Sequence, residues 1–382
     1  MKIGILFINF GPYHIARIRR FHDHARQKNF QVVGIELARS TQEYLWKNDI
    51  LDLGFPIIPL IQNQPIETVS WVKQSQLLYQ YLQHLQPDVL AIAGYSPPAM
   101  LAALAWCRWH RRPAILMTES KEDDAPRSPW TERLKGWLIR QYQAGLVGGQ
   151  PQLCYLEKLG MAPGAIFTGY DVVDNGVFHP EQIRKEPRPI PQSYFLAINR
   201  FIPKKNLIVL IEAYADYCQA TNGQAGDLPW HFVLCGDGEL RPVIEALIGQ
   251  LGLGDLIHLP GFLQQDQLLP YFAHASCFIH ASTQEQWGLV VNEAMAAGLP
   301  VLVSNRCGCF EDLILEGVTG FGFDPDNKQQ LTNLMLKMSH GQVDLEQIGQ
   351  SALMHIQKFS PDTFAQGLLQ AVDYVLLRQS GQ

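Results

Sequence analysis

Glu285 and Glu293 stand eight positions apart in Thr283-Gln-Glu-Gln-Trp-Gly-Leu-Val-Val-Asn-Glu-Ala-Met-Ala-Ala-Gly-Leu-Pro300, which reads as a loop running into a helix. If the helix begins near Gly288, Glu285 lies on the loop. Leu289, Val290 and Glu293 then share one helical face, because residues three and four apart are surface neighbours. Two carboxylates so placed can grip one ligand at two points. Between them lie the free backbone N–H groups of a helix N-terminus, where donors and macrodipole together favour an anion such as a phosphate. A sugar joined through a diphosphate to a nucleoside has that order of parts: hydroxyls, phosphates, hydroxyls. Ser282-x-x-Glu285 also spells a helix capping box. The apolar helical run starts later, which favours a ligand role for Glu285.

The elements that must carry these side chains follow a regular rhythm. Apolar runs at Ile3 to Ile8, Val32 to Ile35, Val89 to Ile92 and Ala114 to Met117 alternate with amphipathic stretches at His14 to Lys28 and Leu77 to Leu85. Strand and helix in alternation predict a parallel α/β sheet. The chain then turns polar and proline-rich through His179 to Pro191, which reads as a linker. A second series begins with strands at Tyr194 to Ile198, His231 to Leu234, Ile257 to Leu259, Cys277 to His280 and Val301 to Val303. Helices are expected over Leu207 to Cys218, over Leu240 to Leu251 and after Gly288. Pro361 to Leu377 reads as a closing helix. Three parts are expected: a first domain over 1–180, a second over 192–360, and a helix over 361–382 returning toward the first domain. Doubly wound sheets bind ligands at the carboxyl ends of their strands, so the expected site lies in a cleft between the two halves.

At 382 residues the chain exceeds one ordinary core. A hydrophobic content of 47% with 17% charged residues excludes a disordered chain. The opening apolar run is too short for a secretory core and reads as a first strand. The best candidate for a membrane span, Ala99 to Cys107, is about half the length one needs. Seven cysteines, scattered singly except for Cys307-Gly-Cys309 and without a second pair or a histidine cluster at zinc-ligand spacing, predict reduced thiols in a cytoplasmic protein. No metal or other cofactor is called for.

Charge is unevenly spread. Residues 1–188 carry twenty-one basic against seventeen acidic side chains, while the remainder carries nine against nineteen. Much of the excess lies in Arg17, Arg19, Arg20, Arg26 and Lys28, and in Arg108, Arg111 and Arg112 beside Trp106 and Trp109. Basic residues interleaved with apolar ones can dock on an anionic membrane, hold an acidic substrate, or form a solvated helix face. Overall acidity and the lack of a nucleic-acid module exclude nucleic acid as a partner.

Five segments arrive in a fixed order in the second half: Asn199-Arg-Phe-Ile-Pro-Lys-Lys-Asn206, Leu234-Cys-Gly-Asp-Gly-Glu-Leu240, Leu259-Pro-Gly-Phe262, Ser282 to Gly298, and Gly317-Val-Thr-Gly320. In this the chain resembles the retaining, nucleotide-sugar-dependent glycosyltransferases of family 4. That resemblance implies a GT-B fold of two Rossmann-like domains and transfer of a sugar from a nucleotide diphosphate donor to an acceptor hydroxyl in polysaccharide, glycolipid or other glycoconjugate synthesis. Arg200 and Lys205 match the family's basic pair on the donor diphosphate. Breaking a glycosyl–phosphate bond piles negative charge on the leaving group, which fixed cations and helix-end amides must stabilise in the absence of a metal. Lys204 matches no fixed family position and is expected in solvent.

The resemblance further implies Glu293 on the ribose hydroxyls, Glu285 on the transferred sugar, and the amides around Leu289 and Val290 on the phosphates. Gly288 allows close backbone approach, and Gly298 suits a helix C-terminus. Gly236, in the Gly-Asp-Gly turn, and Phe262 would lie near the nucleotide, although such a turn is also an ordinary structural device. The chain departs from the family in two places. Gly308-Cys309 and Asp312 replace the usual paired glycines and glutamate, and Leu116-Met-Thr-Glu-Ser120 lacks the histidine many members carry at the end of a first-domain strand. Glu119 or His14 could take that histidine's place, and His14 could equally be a surface residue at a helix start. Asp123 and Asp124 are expected on an exposed acidic loop. A nucleotide-sugar epimerase and a catalytically silent donor-binding partner are the competing readings.

Overall fold

The computed structural model describes residues 1–41, 53–222 and 228–380. The chain forms two compact units: Met1–Asp174 together with the stretch from Phe359 onward, and Asn175–Lys358.

The first unit runs β1 (Lys2–Phe7), α1 (Pro12–Gln27), β2 (Gln31–Ala38), β3 (Ile57–Ile61), α2 (Trp71–Leu85), β4 (Val89–Ala93), α3 (Pro98–Trp109), β5 (Ala114–Thr118), α4 (Pro129–Ile139), β6 (Ala144–Val147), α5 (Gln150–Lys158) and β7 (Ile166–Thr168). Among the described residues these strands form a seven-stranded sheet of order β3-β2-β1-β4-β5-β6-β7, with every pairing parallel. Successive side chains of a strand point to opposite faces, and both faces are buried here. Leu6, Ile35, Leu90 and Leu116 join one core with α2, α3 and α5, whereas Ile3, Ile5, Val89 and Met117 join another. Burial on both faces explains why these strands read as unbroken apolar runs.

The second unit begins with α6 (Asn175–Phe178) and α7 (Pro180–Ile183). It continues through β8 (Tyr194–Ile198), α8 (Leu207–Asn222), β9 (His231–Cys235), α9 (Arg241–Gln250), β10 (Ile257–Gly261), α10 (Gln265–His274), β11 (Cys277–His280), α11 (Leu289–Ala296), β12 (Val301–Ser304), α12 (Phe310–Leu313), β13 (Gly320–Phe323), α13 (Lys328–Ser339) and α14 (Leu345–Ile356). Its parallel sheet has the order β10-β9-β8-β11-β12-β13 among the described residues. The strand order reverses between β8 and β11, so the loops leaving these two neighbours diverge and leave room at their carboxyl ends.

A last helix, α15 (Pro361–Ser380), packs on α1 and supplies Phe364, Ala365, Leu368, Val372 and Val375 to the core around Ile3 and Ile5. This changes the reading of the basic residues in the first helix. Arg20 pairs with Asp362 at 2.6 Å and Lys28 with Asp373 at 2.5 Å, while Arg17 is buried. Two of the charges expected to face a surface or substrate, Arg20 and Lys28, therefore tie this segment to α15. Trp106 is likewise buried in the core.

The expected linker is a second correction. Residues 175–186 pack on the second unit: Phe178 meets Phe272 edge-on at 5.5 Å, Asn175 donates to the Ile356 carbonyl at 3.0 Å, and His274 bonds the Glu186 carbonyl at 2.7 Å. Pro180 opens α7, where a missing N–H costs nothing. Six of the seven cysteines are buried and Cys154 is exposed. No described helix is long and apolar enough to cross a membrane.

Candidate functional site

Two loops leave the carboxyl ends of adjacent strands in the second unit. After β8 the chain passes through Asn199 and Arg200 to a short 3-10 turn, Pro203–Lys205, and Asn206 adopts a left-handed conformation before α8. After β11 it passes through Ser282 and Glu285 to Gly288. The loops are tied together, since Thr283 donates its backbone N–H to the Lys204 carbonyl at 2.9 Å and its hydroxyl to the same oxygen at 3.3 Å. Lys204, expected in solvent, is half-buried and lends its carbonyl to this tie.

The tie brings Lys205 and Glu285 into an ion pair whose side chains are only 12% and 14% exposed. Ser282 donates to the same carboxylate oxygen at 3.2 Å, and Nε2 of the buried His280 lies 3.3 Å from it. Burial alone would raise the pKa of Glu285. The hydrogen bond from His280 and the charge of Lys205 outweigh it, holding the carboxyl well below its ordinary range. Burial pushes His280 down, so the imidazole is neutral at physiological pH. The result is a fixed anion with three donors around one oxygen. Sequence reasoning missed His280 because it ends an apolar strand and reads as core.

Gly288 has φ +108 and caps α11, which starts at Leu289, so Ser282 is not the helix cap and no capping box forms there. A Cβ at Gly288 would stand 3.5 Å from Glu285 Cγ and 3.6 Å from His280 Nε2, which places the start of α11 directly over the anion. Leu289 and Val290 follow in the first turn, and Glu293 is buried on the same helix. Trp287 Nε1 donates to Asn292 at 2.9 Å and locks the loop onto the helix. The unusual Gly308-Cys309 loop is zipped to the same segment: Gly308 donates to the Glu285 carbonyl and Cys309 to the Trp287 carbonyl, each at 3.1 Å.

The Gly-Asp-Gly turn supports the other loop. A side chain at Gly236 would collide with the Asn199 carbonyl at 1.8 Å, and Phe201 N–H donates to Asp237 at 2.8 Å. Gly236 thus permits the close backbone packing that holds the Asn199–Phe201 segment, with Arg200 exposed beside it. Asn199 is itself buried, and neither polar atom of its side-chain amide has a hydrogen-bond partner among the described residues. Phe262, next to the left-handed Gly261, is 48% exposed.

In the first unit His14 lies on α1, half-buried against Phe7 at a ring distance of 4.3 Å, and its Nδ1 accepts from Gly11 N–H at 3.1 Å. Burial, helped by the Arg17 charge, pushes its pKa down to about 3. The residue is therefore a neutral imidazole that caps its own helix. Glu119 follows β5 and hydrogen-bonds Asp171, which is fully buried and lies 3.8 Å from Arg17. Burial first, then the Glu119 charge, push the Asp171 carboxyl well above its usual range, and Arg17 only partly opposes them. The protonated form of Asp171 is thereby favoured over its charged form. Asp171 had no flag in the sequence beyond its place in Gly169-Tyr-Asp. Asp123 is exposed, as expected, whereas the Asp124 side chain is largely buried. Asp123 pairs with Lys121 at 2.6 Å, and Asp124 pairs with Arg127 and accepts from Lys121 N–H at 3.1 Å. Among the described residues no three His, Cys, Asp or Glu side chains converge as metal ligands would.

Known structures share this architecture from end to end. HepE from Anabaena, solved with UDP and glucose, superposes at a TM-score of 0.75 with 20% identity, covering 98% of this chain and 99% of its own. Sucrose-phosphate synthase from Thermosynechococcus elongatus gives 0.74 with 17% identity over 99% of both chains. The fold is accordingly GT-B, built from two Rossmann-like α/β domains. In sequence, the α-monoglucosyldiacylglycerol synthase of Acholeplasma laidlawii is 25% identical over 48% of this chain and 44% of its own length. Sulfoquinovosyl transferase SQD2 of Arabidopsis thaliana is 35% identical over 32% of this chain and 24% of its own. The matched stretch thus spans less than half of either curated relative. Residues 178–353, which carry both site loops, match the family model of the group 1 glycosyl transferases.

Proposed function

We propose that the chain is a retaining glycosyltransferase of family 4, moving a sugar from a nucleotide diphosphate donor to an acceptor hydroxyl in glycoconjugate synthesis. The observation that carries this reading is the Lys205–Glu285–His280–Ser282 network beneath the start of α11: a cation, an oriented carboxylate and helix-end amides in one place. Lys205, Arg200 and the Leu289 and Val290 amides take the diphosphate. Glu293 takes the ribose hydroxyls and Glu285 the transferred sugar. The unsatisfied amide of Asn199 supports a further polar contact to the donor, because a buried amide without a partner is costly to maintain. Uridine is the favoured base, on the UDP and UDP-glucose held by HepE.

In the reaction the bond from the anomeric carbon to phosphate oxygen breaks, and the acceptor oxygen bonds that carbon on the same face. The acceptor proton passes to the departing phosphate oxygen. The protein then needs no nucleophile of its own, and its cations and amides stabilise the leaving charge. Glu119 of the first unit is the polar group we assign to the role of the missing histidine, and the half-buried, neutral His14 is the weaker candidate. The chain also makes a peripheral contact with an anionic membrane through its first unit.

A thermal-shift screen over uridine, guanosine and adenosine diphosphates and their sugars tests the donor assignment, since a ligand of the folded state raises its melting temperature. Stabilisation by one nucleotide together with its release from the matching sugar nucleotide is expected. A silent donor-binding partner, favoured by the lack of a histidine in Leu116 to Ser120, predicts nucleotide binding with no release under any condition.

A further inference from the structure

Helix α4 uses little of its apolar surface for folding. Gly136 and Ile139 are its buried residues, whereas Trp130, Leu134 and Trp137 are 77%, 65% and 58% exposed. Their spacing of four and then three positions sets them in one row along the helix. Burying such side chains stabilises a fold, so leaving three of them in one row in water calls for a partner.

The adjacent row on α4 is Arg133 and Gly136, continued by Arg140 just past its end. Gly136 packs so closely on the residue that ends α5 that a Cβ there would lie 2.9 Å from the Leu159 carbonyl. With no side chain at that position, a cavity of about 310 Å³ is lined by Arg133, Arg140, Lys158, Glu132, Gly136 and Leu159. Its acid is already engaged, since Glu132 accepts from the Tyr155 hydroxyl at 2.8 Å and from Lys135 at 3.2 Å. Lys158 pairs with the exposed Glu122, and Arg140 donates to the Leu159 carbonyl at 3.3 Å. Arg133 stacks over Trp130 at 5.8 Å and has no carboxylate partner among the described residues. An aromatic ridge thus runs beside a cationic cavity.

We infer that α4 is the element that seats this chain on an anionic membrane, with Trp130, Leu134 and Trp137 at the headgroup–acyl boundary and a lipid phosphate in the Arg133–Arg140–Lys158 cavity. The inference rests on the membrane contact proposed above and locates it away from the α1 residues that α15 neutralises. Tryptophan favours the membrane–water boundary, where one side of the ring is apolar and the other wet. Arginine buries its stem there and keeps its charge at phosphate level. The alternative occupant, a second copy, fits poorly: a two-fold contact sets a patch against itself and would bring the arginine rows of both copies together.

The test is co-sedimentation of the full chain with vesicles of equal parts phosphatidylglycerol and phosphatidylcholine, and with phosphatidylcholine alone. Strong binding to the first and weak binding to the second are expected. Trp130→Ala with Trp137→Ala should weaken binding at least about tenfold, and Arg133→Gln and Arg140→Gln about fivefold each. Each variant should retain the wild-type melting temperature and nucleotide affinity. Equal binding to both vesicles, no binding to either, unaltered binding by the tryptophan variant, or a wild-type dimer in solution that this variant abolishes would each overturn the inference. Vesicle binding by a chain that transfers no sugar would leave it standing and refute the transferase reading alone.

Discussion

Glu285 and Asp171 are both acids removed from water at the end of a parallel sheet, and their protonation is driven in opposite directions. Around Glu285 the fold sets a lysine, a serine hydroxyl and a neutral imidazole on one oxygen, and the charged form wins despite burial. Asp171 has a second carboxyl as its close partner and an arginine too distant at 3.8 Å for a hydrogen bond, so the protonated form wins. Burial is common to both, and the sign is decided by what faces the carboxyl. One unit fixes a permanent charge suited to an activated sugar. In the other, burial and a neighbouring carboxyl favour the protonated acid.

The largest expected effect tests the fixed charge. Lys205→Ala or Glu285→Ala should lower turnover roughly a hundredfold, the usual loss of about 3 kcal/mol when a preorganised contact to developing charge is removed. Nucleotide affinity should change little in Glu285→Ala, and a tenfold loss there would show that Glu285 binds the nucleotide instead. Glu293→Ala should weaken nucleotide binding about tenfold, as expected for lost hydrogen bonds to a charged group. Calorimetric titration with UDP reads both, and equal affinity in wild type and Glu293→Ala would contradict the ribose assignment.

The raised pKa of Asp171 gives a smaller effect with a definite sign. The folded state raises the Asp171 pKa above its unfolded value of 3.8, so the contribution of this group to stability is greatest below 3.8 and is lost as pH rises through the folded value. Glu285 behaves in the reverse way, stabilising above its unfolded value and losing that contribution in acid. Asp171→Asn mimics the protonated acid and should match or exceed wild-type stability at neutral pH, while Asp171→Ala loses about 2 kcal/mol. Urea unfolding across pH separates the two. If Asn is as damaging as Ala, Asp171 is an anion serving Arg17. His14 acts at the acid end, where its depressed pKa makes the fold lose stability as pH falls from 6.5 toward 3. His14→Gln should flatten that limb in the same titration.

The two units were unequally legible in the sequence. Tyr194–Ile198 and Cys277–His280 matched their strands end to end, and α11 begins where Gly288 predicted, because glycine turns and short apolar runs carry local signals. Helix α10 escaped notice since Pro270 sits inside it, and α4 because its apolar row faces outward and gives no core-facing pattern. β3, β6 and β7 are short strands of three to five residues without strong flanking punctuation. Partnerships made far along the chain were invisible. Nothing near Asp171 announces Glu119, and nothing in Arg20 or Lys28 announces that α15 would neutralise them.

Helix α15 has a consequence for how the chain is made. Seven of its side chains complete a core begun by β1, yet all of Asn175–Lys358 lies between them. The ribosome therefore finishes the second unit before it delivers the helix that seals the first, and one face of the β1 sheet must wait exposed until then. The nascent polypeptide should consequently mature in reversed order, its middle portion becoming protease-resistant ahead of its beginning.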